Sequence, residues 1–382
     1  LFSLILPLHV LGTPILLIPG DGASVLEIKY DKLIVPHWLC AKSSHNKWER
    51  LWVPNPTELL PRQIDCWSDK IRLRYNGSSV VNDPGVEIRA KSGREGLELV
   101  HGVPKSNVYR TLNSAFEDSI GVATYDFRLS PRGNPNFLMR VKEMIENAYN
   151  KTQTKVILLT HSLGAIFGHY FLTHVVDEQW KDTFIQAWIP ISPAYGGVIS
   201  SLKQLVSGDT GGIPWLSGKD LKEEQRSYEC SLWLLPRQEF YQDQVLVKWN
   251  DERFTAKDYH QLFSKAAFAG FDAQWERVKN LTTWTAEGQL KDPNVTVYPI
   301  YGHGVATPVQ YLYSHLDREP TIRSSQDGDG TVSFASLQAG DHWLNAQEPL
   351  VVEGVSHADI LSSKEALLHI LKIAKEDASE VT

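Results

Sequence analysis

The chain has 382 residues, 42% of them hydrophobic and 22% charged, which is ordinary globular usage and excludes a disordered or fibrous protein. A net charge of −7 excludes wholesale electrostatic binding to nucleic acid, and no nucleic-acid partner is expected. Twelve Trp beside 14 Tyr and 13 Phe form an aromatic load suited to core packing or to a large apolar ligand. The three cysteines, Cys40, Cys66 and Cys230, are too few for a disulfide scaffold or a four-thiolate zinc site and allow one bridge plus one odd thiol.

Residues 1–12, LFSLILPLHVLG, read as the apolar part of a secretory signal. The uncharged run continues to Gly20, long enough for a membrane span, but Pro7, Pro14 and Pro19 interrupt it. Ile15–Ile18 reads better as a buried strand. Sequons at Asn76, Asn150, Asn280 and Asn294 fit a secretory route, ending in the lysosome or outside the cell, and predict that each asparagine lies on the surface.

Short apolar runs bounded by turn residues then alternate with helical patterns. ILLIP (15–19) precedes Gly20-Asp21-Gly22, and GVATYDF (121–127) precedes a helix through 137–149. VILLT (156–160) runs into a helix near 163–175, and FIQAWIPIS (184–192) ends at Pro193. VTVYPIYG (295–302) and PLVVEGV (349–355) lead to a closing helix around 362–375. Continuous apolar strands with intervening helices predict an α/β fold with a parallel sheet covered on both faces. The core is assigned to 13–29, 110–200 and 291–382. Two insertions interrupt it, a Trp-, Pro- and Arg-rich excursion over 30–109 and a segment over 201–290 that starts with a glycine-rich loop.

The strongest local signal is VILLTHSLGAIFG, a strand, a sharp turn and a helix, with Ser162 in the turn. A nucleophilic serine presented this way sits at the helix N-terminus, flanked by small residues that let strand and helix approach. Thr160 stands where the first glycine of the usual pentapeptide would be; the alternative is an ordinary turn with Ser162 as a helix cap. Such a serine needs a base, and the base a carboxylate, in the chain order Ser, Asp or Glu, His. Asp327 and Asp329 in DGDGTV supply the acid, with Asp329 nearer the point where regular structure resumes. His357, between a late strand and the last helix, is favoured as base over His342. The turn Gly20-Asp21-Gly22 is placed either as an oxyanion loop, with the N–H of Leu163 as second donor, or as a simple glycine turn. An EF-hand starting at Asp327 fails at Val332 and Gln338, and no spacing indicates a catalytic metal or a cofactor.

Trp38, Trp48, Leu51, Trp52, Val53, Leu59, Leu60 and Trp67 cluster around two of the cysteines. They suit either a lipid-facing surface or the core of a small subdomain.

With these residues in place, the sequence resembles the family of lysosomal phospholipase A2 and lecithin–cholesterol acyltransferase. LLIPGDGASVLEIK, HWLCAK, QIDCWSDKIRLRYN, YDFRLSP, THSLGAIFG, SPAYGGV, QRSYECSLWLLP, YGHGVATP, DGDGTV and GVSHADI match its blocks in order from about Pro14 to the last helix. The resemblance implies an α/β-hydrolase fold with Ser162 as nucleophile, Asp329 as acid, His357 as base and oxyanion donors at Asp21 and Leu163. It further implies a Cys40–Cys66 disulfide in a membrane-binding subdomain, with Leu51, Trp52 and Trp67 at the lipid, and a mobile lid near 205–230. The implied activity is calcium-independent cleavage of glycerophospholipid acyl esters at a membrane or lipoprotein surface, with the acyl group passed to water or a lipid alcohol such as ceramide. The competing readings are a sterol acyltransferase or neutral-lipid esterase on the same residues, and a catalytically silent lipid-binding protein. Phe127, Tyr195 and Thr160 differ from the family's usual residues, and Ser324, Ser325 and Gln326 stand where the first cysteine of a second disulfide would be.

Overall fold

The computed structural model describes residues 13–97, 108–116, 119–285 and 287–376. The leader read over 1–12 lies outside the described residues. The centre is a six-stranded parallel sheet of β1 (Ile15–Ile18), β2 (Ile120–Val122), β3 (Val156–His161), β4 (Ile185–Ile191), β5 (Ile300–His303) and β6 (Leu350–Glu353), in the order β6-β5-β4-β3-β1-β2. Its inner strands are mostly apolar because both faces are covered. Side chains alternate between faces, so Leu16, Ile18 and Leu158 enter one core cluster, while Ile15, Leu17, Ile157 and Leu159 enter the other. The first cluster includes the inner side of helix Pro135–Thr152, through Phe137, Leu138, Val141 and Ile145. The second includes Ile370 and Ile373 of the closing helix Lys364–Glu376. This is the α/β architecture expected from the alternation, of the hydrolase type that the resemblance implied.

The excursion after β1 forms an antiparallel sheet, Glu49–Trp52 beside Leu26–Tyr30 beside Val86–Ala90, with helix Gln63–Ile71 next to it. Cys40 and Cys66 are disulfide-bonded across a sequence separation of 26, closing a loop that stabilises the fold by about 3.5 kcal/mol on a chain-entropy model. Lys32, 4% exposed, is held by Asp69 at 2.5 Å and Asp83 at 2.6 Å. The chain beyond it emerges into solvent, leaving Leu33 93%, Ile34 84% and Trp38 86% exposed.

One sequence boundary shifts. The hairpin of Thr307–Tyr313 and Thr321–Gln326, assigned to the core, instead pairs through its first strand with Val247–Trp249 of the second insertion, completing a four-stranded sheet with Glu252–Phe254. The 205–230 segment lies against the first excursion. Trp215 Nε1 donates to Leu59 O at 3.1 Å, Ser68 Oγ to Asp220 O at 3.3 Å, and Leu73 N to Ser227 Oγ at 3.0 Å. No helix of the described residues is long and apolar enough to cross a membrane.

Candidate active site

Strand β3 is buried along its whole length and is followed directly by Ser162, whose φ of 56° and ψ of −123° fall in a region seldom used by non-glycine residues. Helix Leu163–Tyr170 starts immediately afterwards. A Cβ at Gly164 would lie 2.4 Å from Ile18 O and 2.5 Å from Pro19 O, so only glycine allows this close approach of helix to strand. The turn thus carries the half-buried Ser162 side chain out of the sheet at a helix N-terminus. Thr160 is accommodated through its hydroxyl, which accepts from Trp188 Nε1 at 2.9 Å.

His357 Nε2 lies 2.9 Å from Ser162 Oγ, and His357 Nδ1 lies 2.7 Å from Asp329 Oδ2. The other Asp329 oxygen accepts from the N–H groups of Thr331 at 3.0 Å and Val332 at 2.8 Å. Burial opposes charge at this fully buried carboxyl, but the His357 ring and these two N–H groups outweigh it and hold its pKa below the ordinary carboxylate range. The loop needs no second disulfide for its shape: Gly330 N donates to Thr307 Oγ1 at 2.8 Å, Val305 N to Gly328 O at 3.0 Å, and His357 N to Asp329 O at 2.8 Å. Asp327 points elsewhere, accepting from Gly304 N at 2.7 Å, and His342 is exposed beside Trp343. Of the rival pairs, the structure therefore brings Asp329 and His357 to Ser162 and leaves Asp327 and His342 aside.

The turn holding Asp21 touches the serine, since a Cβ at Gly20 would lie 3.0 Å from Ser162 Cβ. Asp21 and Leu163 are thus neighbours of residues flanking the hydroxyl. Asp21 also lines a cavity of about 300 Å³ with Trp52, Trp67, Phe127, Glu224 and Tyr228. Glu224 is 2% exposed and its Oε2 has no hydrogen-bond partner among the described residues. Burial pushes its carboxyl up to about 8, against the neighbouring Tyr228 and the Arg128 charge. Asp21 is exposed, so the crowding that pushes its carboxyl up is offset by solvent screening. Cys230 is a buried thiol 4.0 Å from Asp21 Oδ1, and burial pushes it well above the ordinary thiol range.

The lipid-facing expectation changes at two residues. Leu51 and Trp67 are 0% and 2% exposed, and Trp67 Nε1 donates to Leu51 O at 2.9 Å, so both belong to the subdomain core. Trp52 is half-buried, donates from Nε1 to Gly22 O at 2.6 Å and forms cavity wall. Packing explains the burial: Leu51 lies on the inward side of its strand and Trp67 on the inner face of helix Gln63–Ile71. The most exposed apolar side chains of this excursion are Leu33, Ile34 and Trp38. Asn76, Asn150, Asn280 and Asn294 all lie on the surface. Among the described residues, metal-ligand atoms converge at His37, Cys40 and Cys66, but both sulfurs are taken by the disulfide. Sequence reasoning missed Glu224, which sits in the charged run KDLKEEQR and carries no local sign of burial. It also missed Tyr109, whose relation to the site is purely tertiary.

With this geometry in view, similarity to known proteins is informative. Residues 48–372 match the family model described as lecithin:cholesterol acyltransferase. The lysosomal phospholipase A and acyltransferase of Rattus norvegicus is 33% identical over 383 residues, covering 95% of this chain and 91% of the relative. The human protein of that name is 32% identical, covering 94% and 90%. The phosphatidylcholine-sterol acyltransferase of Mus musculus is also 32% identical, covering 94% and 84%. Among solved structures, that of the Tle4–Tli4 complex is similar at 13% identity with a TM-score of 0.55, covering 95% of this chain and 99% of that one, a likeness of fold. Identity of this extent across nearly the full length, together with the matched family model, shows that the chain belongs to the lecithin:cholesterol acyltransferase family.

Proposed function

We propose that this protein is a serine lipid acyl hydrolase and transferase of the lysosomal phospholipase A type, acting on glycerophospholipid esters in the lysosome or outside the cell. The observation that carries the reading is the hydrogen-bonded line Ser162–His357–Asp329, at 2.9 and 2.7 Å, on a strand-to-helix turn. In this reading His357 takes the Ser162 proton as Oγ attacks the ester carbonyl. The N–H groups of Asp21 and Leu163 stabilise the oxyanion. As the intermediate collapses, the protonated His357 gives its proton to the departing lysophospholipid oxygen. Water or a lipid alcohol, deprotonated by His357, then attacks the acyl-enzyme and releases a fatty acid or an acylated alcohol with Ser162 restored.

No calcium step is needed, and support comes from Asp327 and Asp329: their oxygens are engaged by backbone N–H groups and by His357. Membrane contact is assigned to the exposed Leu33, Ile34 and Trp38 at the disulfide-closed loop. The four surface asparagines are the proposed glycosylation sites. A second reading, a sterol acceptor, is favoured by the 32% identity to the phosphatidylcholine-sterol acyltransferase.

The test uses phosphatidylcholine liposomes containing either ceramide or cholesterol, with lipid products followed by mass spectrometry at acidic and neutral pH. The parent protein is expected to yield lysophospholipid and acylceramide, and Ser162→Ala neither. Cholesteryl ester in place of acylceramide would move the assignment to the sterol branch. Undiminished product from Ser162→Ala, or none from the parent, would remove the serine reading; in the second case lipid binding alone would stand.

A further inference from the structure

The turn before Asp21 and the main chain of His357 are tied together through two buried side chains that no step above employs. Tyr109, on helix Val108–Ala115, is 4% exposed, and His161, the last residue of β3, is 5% exposed. The Tyr109 hydroxyl lies 2.8 Å from Gly20 N and 2.7 Å from His161 Nδ1. His161 Nε2 lies 3.0 Å from the main-chain oxygen of His357.

The direction of every bond follows from its partners. A carbonyl oxygen only accepts, so His161 Nε2 carries a proton. Burial, and secondarily the neighbouring His357, push the His161 pKa down to about 3, so the ring is neutral and Nδ1 accepts. Tyr109 therefore donates to Nδ1, and its oxygen accepts from Gly20 N–H. One proton arrangement satisfies the whole line, from Gly20 N–H through the tyrosine hydroxyl and the imidazole to the carbonyl of His357.

Its two ends are the parts that must be spaced correctly around Ser162. Gly20 immediately precedes Asp21, and a methyl group there would lie 3.0 Å from both His161 Nδ1 and Ser162 Cβ. At the other end, the His357 main chain also donates its N–H to Asp329 O at 2.8 Å. His161 itself is covalently joined to Ser162. Displacements near 1 Å in such constellations lower rates by about 100-fold.

We infer that Tyr109 and His161 are a positioning pair that fixes the distance between the oxyanion turn and the base on either side of Ser162. The inference rests on the serine reading proposed above and goes beyond it, because the pair acts through Gly20 and His357.

The experiment compares the full chain with Tyr109→Phe and His161→Gln, measuring kcat and KM on a soluble ester, the rate of fluorophosphonate labelling, and Tm. Rates are normalised to sites titrated by complete labelling. Tyr109→Phe keeps the aromatic ring and removes only the hydroxyl. Its kcat is expected to fall by about 10- to 100-fold with KM within about twofold, and the labelling rate to fall in parallel. His161→Gln retains an amide donor toward the His357 carbonyl and loses the Nδ1 acceptor; its kcat falls in the same direction. The double variant loses little more than the worse single one, because both substitutions break one line. A lower Tm with parental kcat per titrated site in Tyr109→Phe overturns the inference, as do strictly additive losses. If Tyr109→Phe does not fold, His161→Gln decides by the same split between kcat and Tm. Full activity in Ser162→Ala overturns the serine reading and this inference with it, whereas loss of activity there with parental Tyr109→Phe overturns the positioning pair alone.

Discussion

Around Ser162, the side chains that bear on the hydroxyl are held by hydrogen bonds. Asp329 accepts from His357, Thr331 and Val332, and both His161 nitrogens are bonded. In the cavity that Asp21 lines, walled mostly by the two insertions, Glu224 Oε2 is buried without a partner among the described residues and the wall is largely aromatic and aliphatic. Further out, Leu33, Ile34 and Trp38 are exposed. The difference separates two tasks. Groups that must hold a geometry are placed where packing and hydrogen bonds determine it. The proposed lipid contact would use the exposed apolar side chains, and the insertion wall keeps a buried carboxyl oxygen unsatisfied.

The largest effect is expected among the hydrogen-bonded groups around Ser162. Asp329→Asn keeps volume and one acceptor but removes the charge that orients His357. Turnover per folded molecule is expected to fall on the order of 10⁴-fold, measured by steady-state hydrolysis alongside circular dichroism. A loss below tenfold would mean that the carboxylate does not orient the base.

A smaller effect belongs to the unmatched wall. The folded-state pKa of Glu224 is raised from 4.5 to about 8, so the folded protein binds more protons than the unfolded chain across that window. Stability from this group is therefore full below about pH 4.5 and is lost as pH rises through 8. The loss is on the order of 2–4 kcal/mol over the window, after allowance for cavity water. Thermal melts between pH 5 and 8 are expected to fall more steeply in the parent than in Glu224→Gln; parallel slopes would show that the carboxyl is not buried uncompensated.

The mildest change falls on the exposed loop after Lys32. Ile34→Asp with Trp38→Asp removes exposed apolar area and is expected to weaken liposome binding by about 10- to 100-fold, read by co-sedimentation. Hydrolysis of a soluble ester is expected to stay within about twofold. Unaltered liposome binding would place the lipid contact elsewhere.

What could be read from the sequence follows the same division. The strands, the Ser162 turn and the choice of His357 over His342 are local or order-dependent features. Apolar runs, small residues around a serine and chain order carry them without tertiary information. The disulfide of Cys40 with Cys66 came from resemblance, since three cysteines alone leave the pairing open. The insertions were legible as composition but not as surfaces. Trp67 and Trp38 are both tryptophans near the same bridge, yet one is 2% and the other 86% exposed, a difference set by which way the helix and the loop face. The hairpin 307–326 escaped its proper sheet because its pairing with 247–249 joins residues about sixty positions apart. Tyr109, brought to Gly20 and His161 only by folding, leaves no sequence signal.

In the proposed reaction every acyl group passes through Ser162. Its most direct test is to quench the protein with acid during turnover of phosphatidylcholine liposomes and weigh it. A mass increase equal to one fatty acyl group minus a proton, mapped to the peptide bearing Ser162 and absent from Ser162→Ala, is the predicted result. Acyl mass on another residue, or equal labelling of Ser162→Ala, would contradict it.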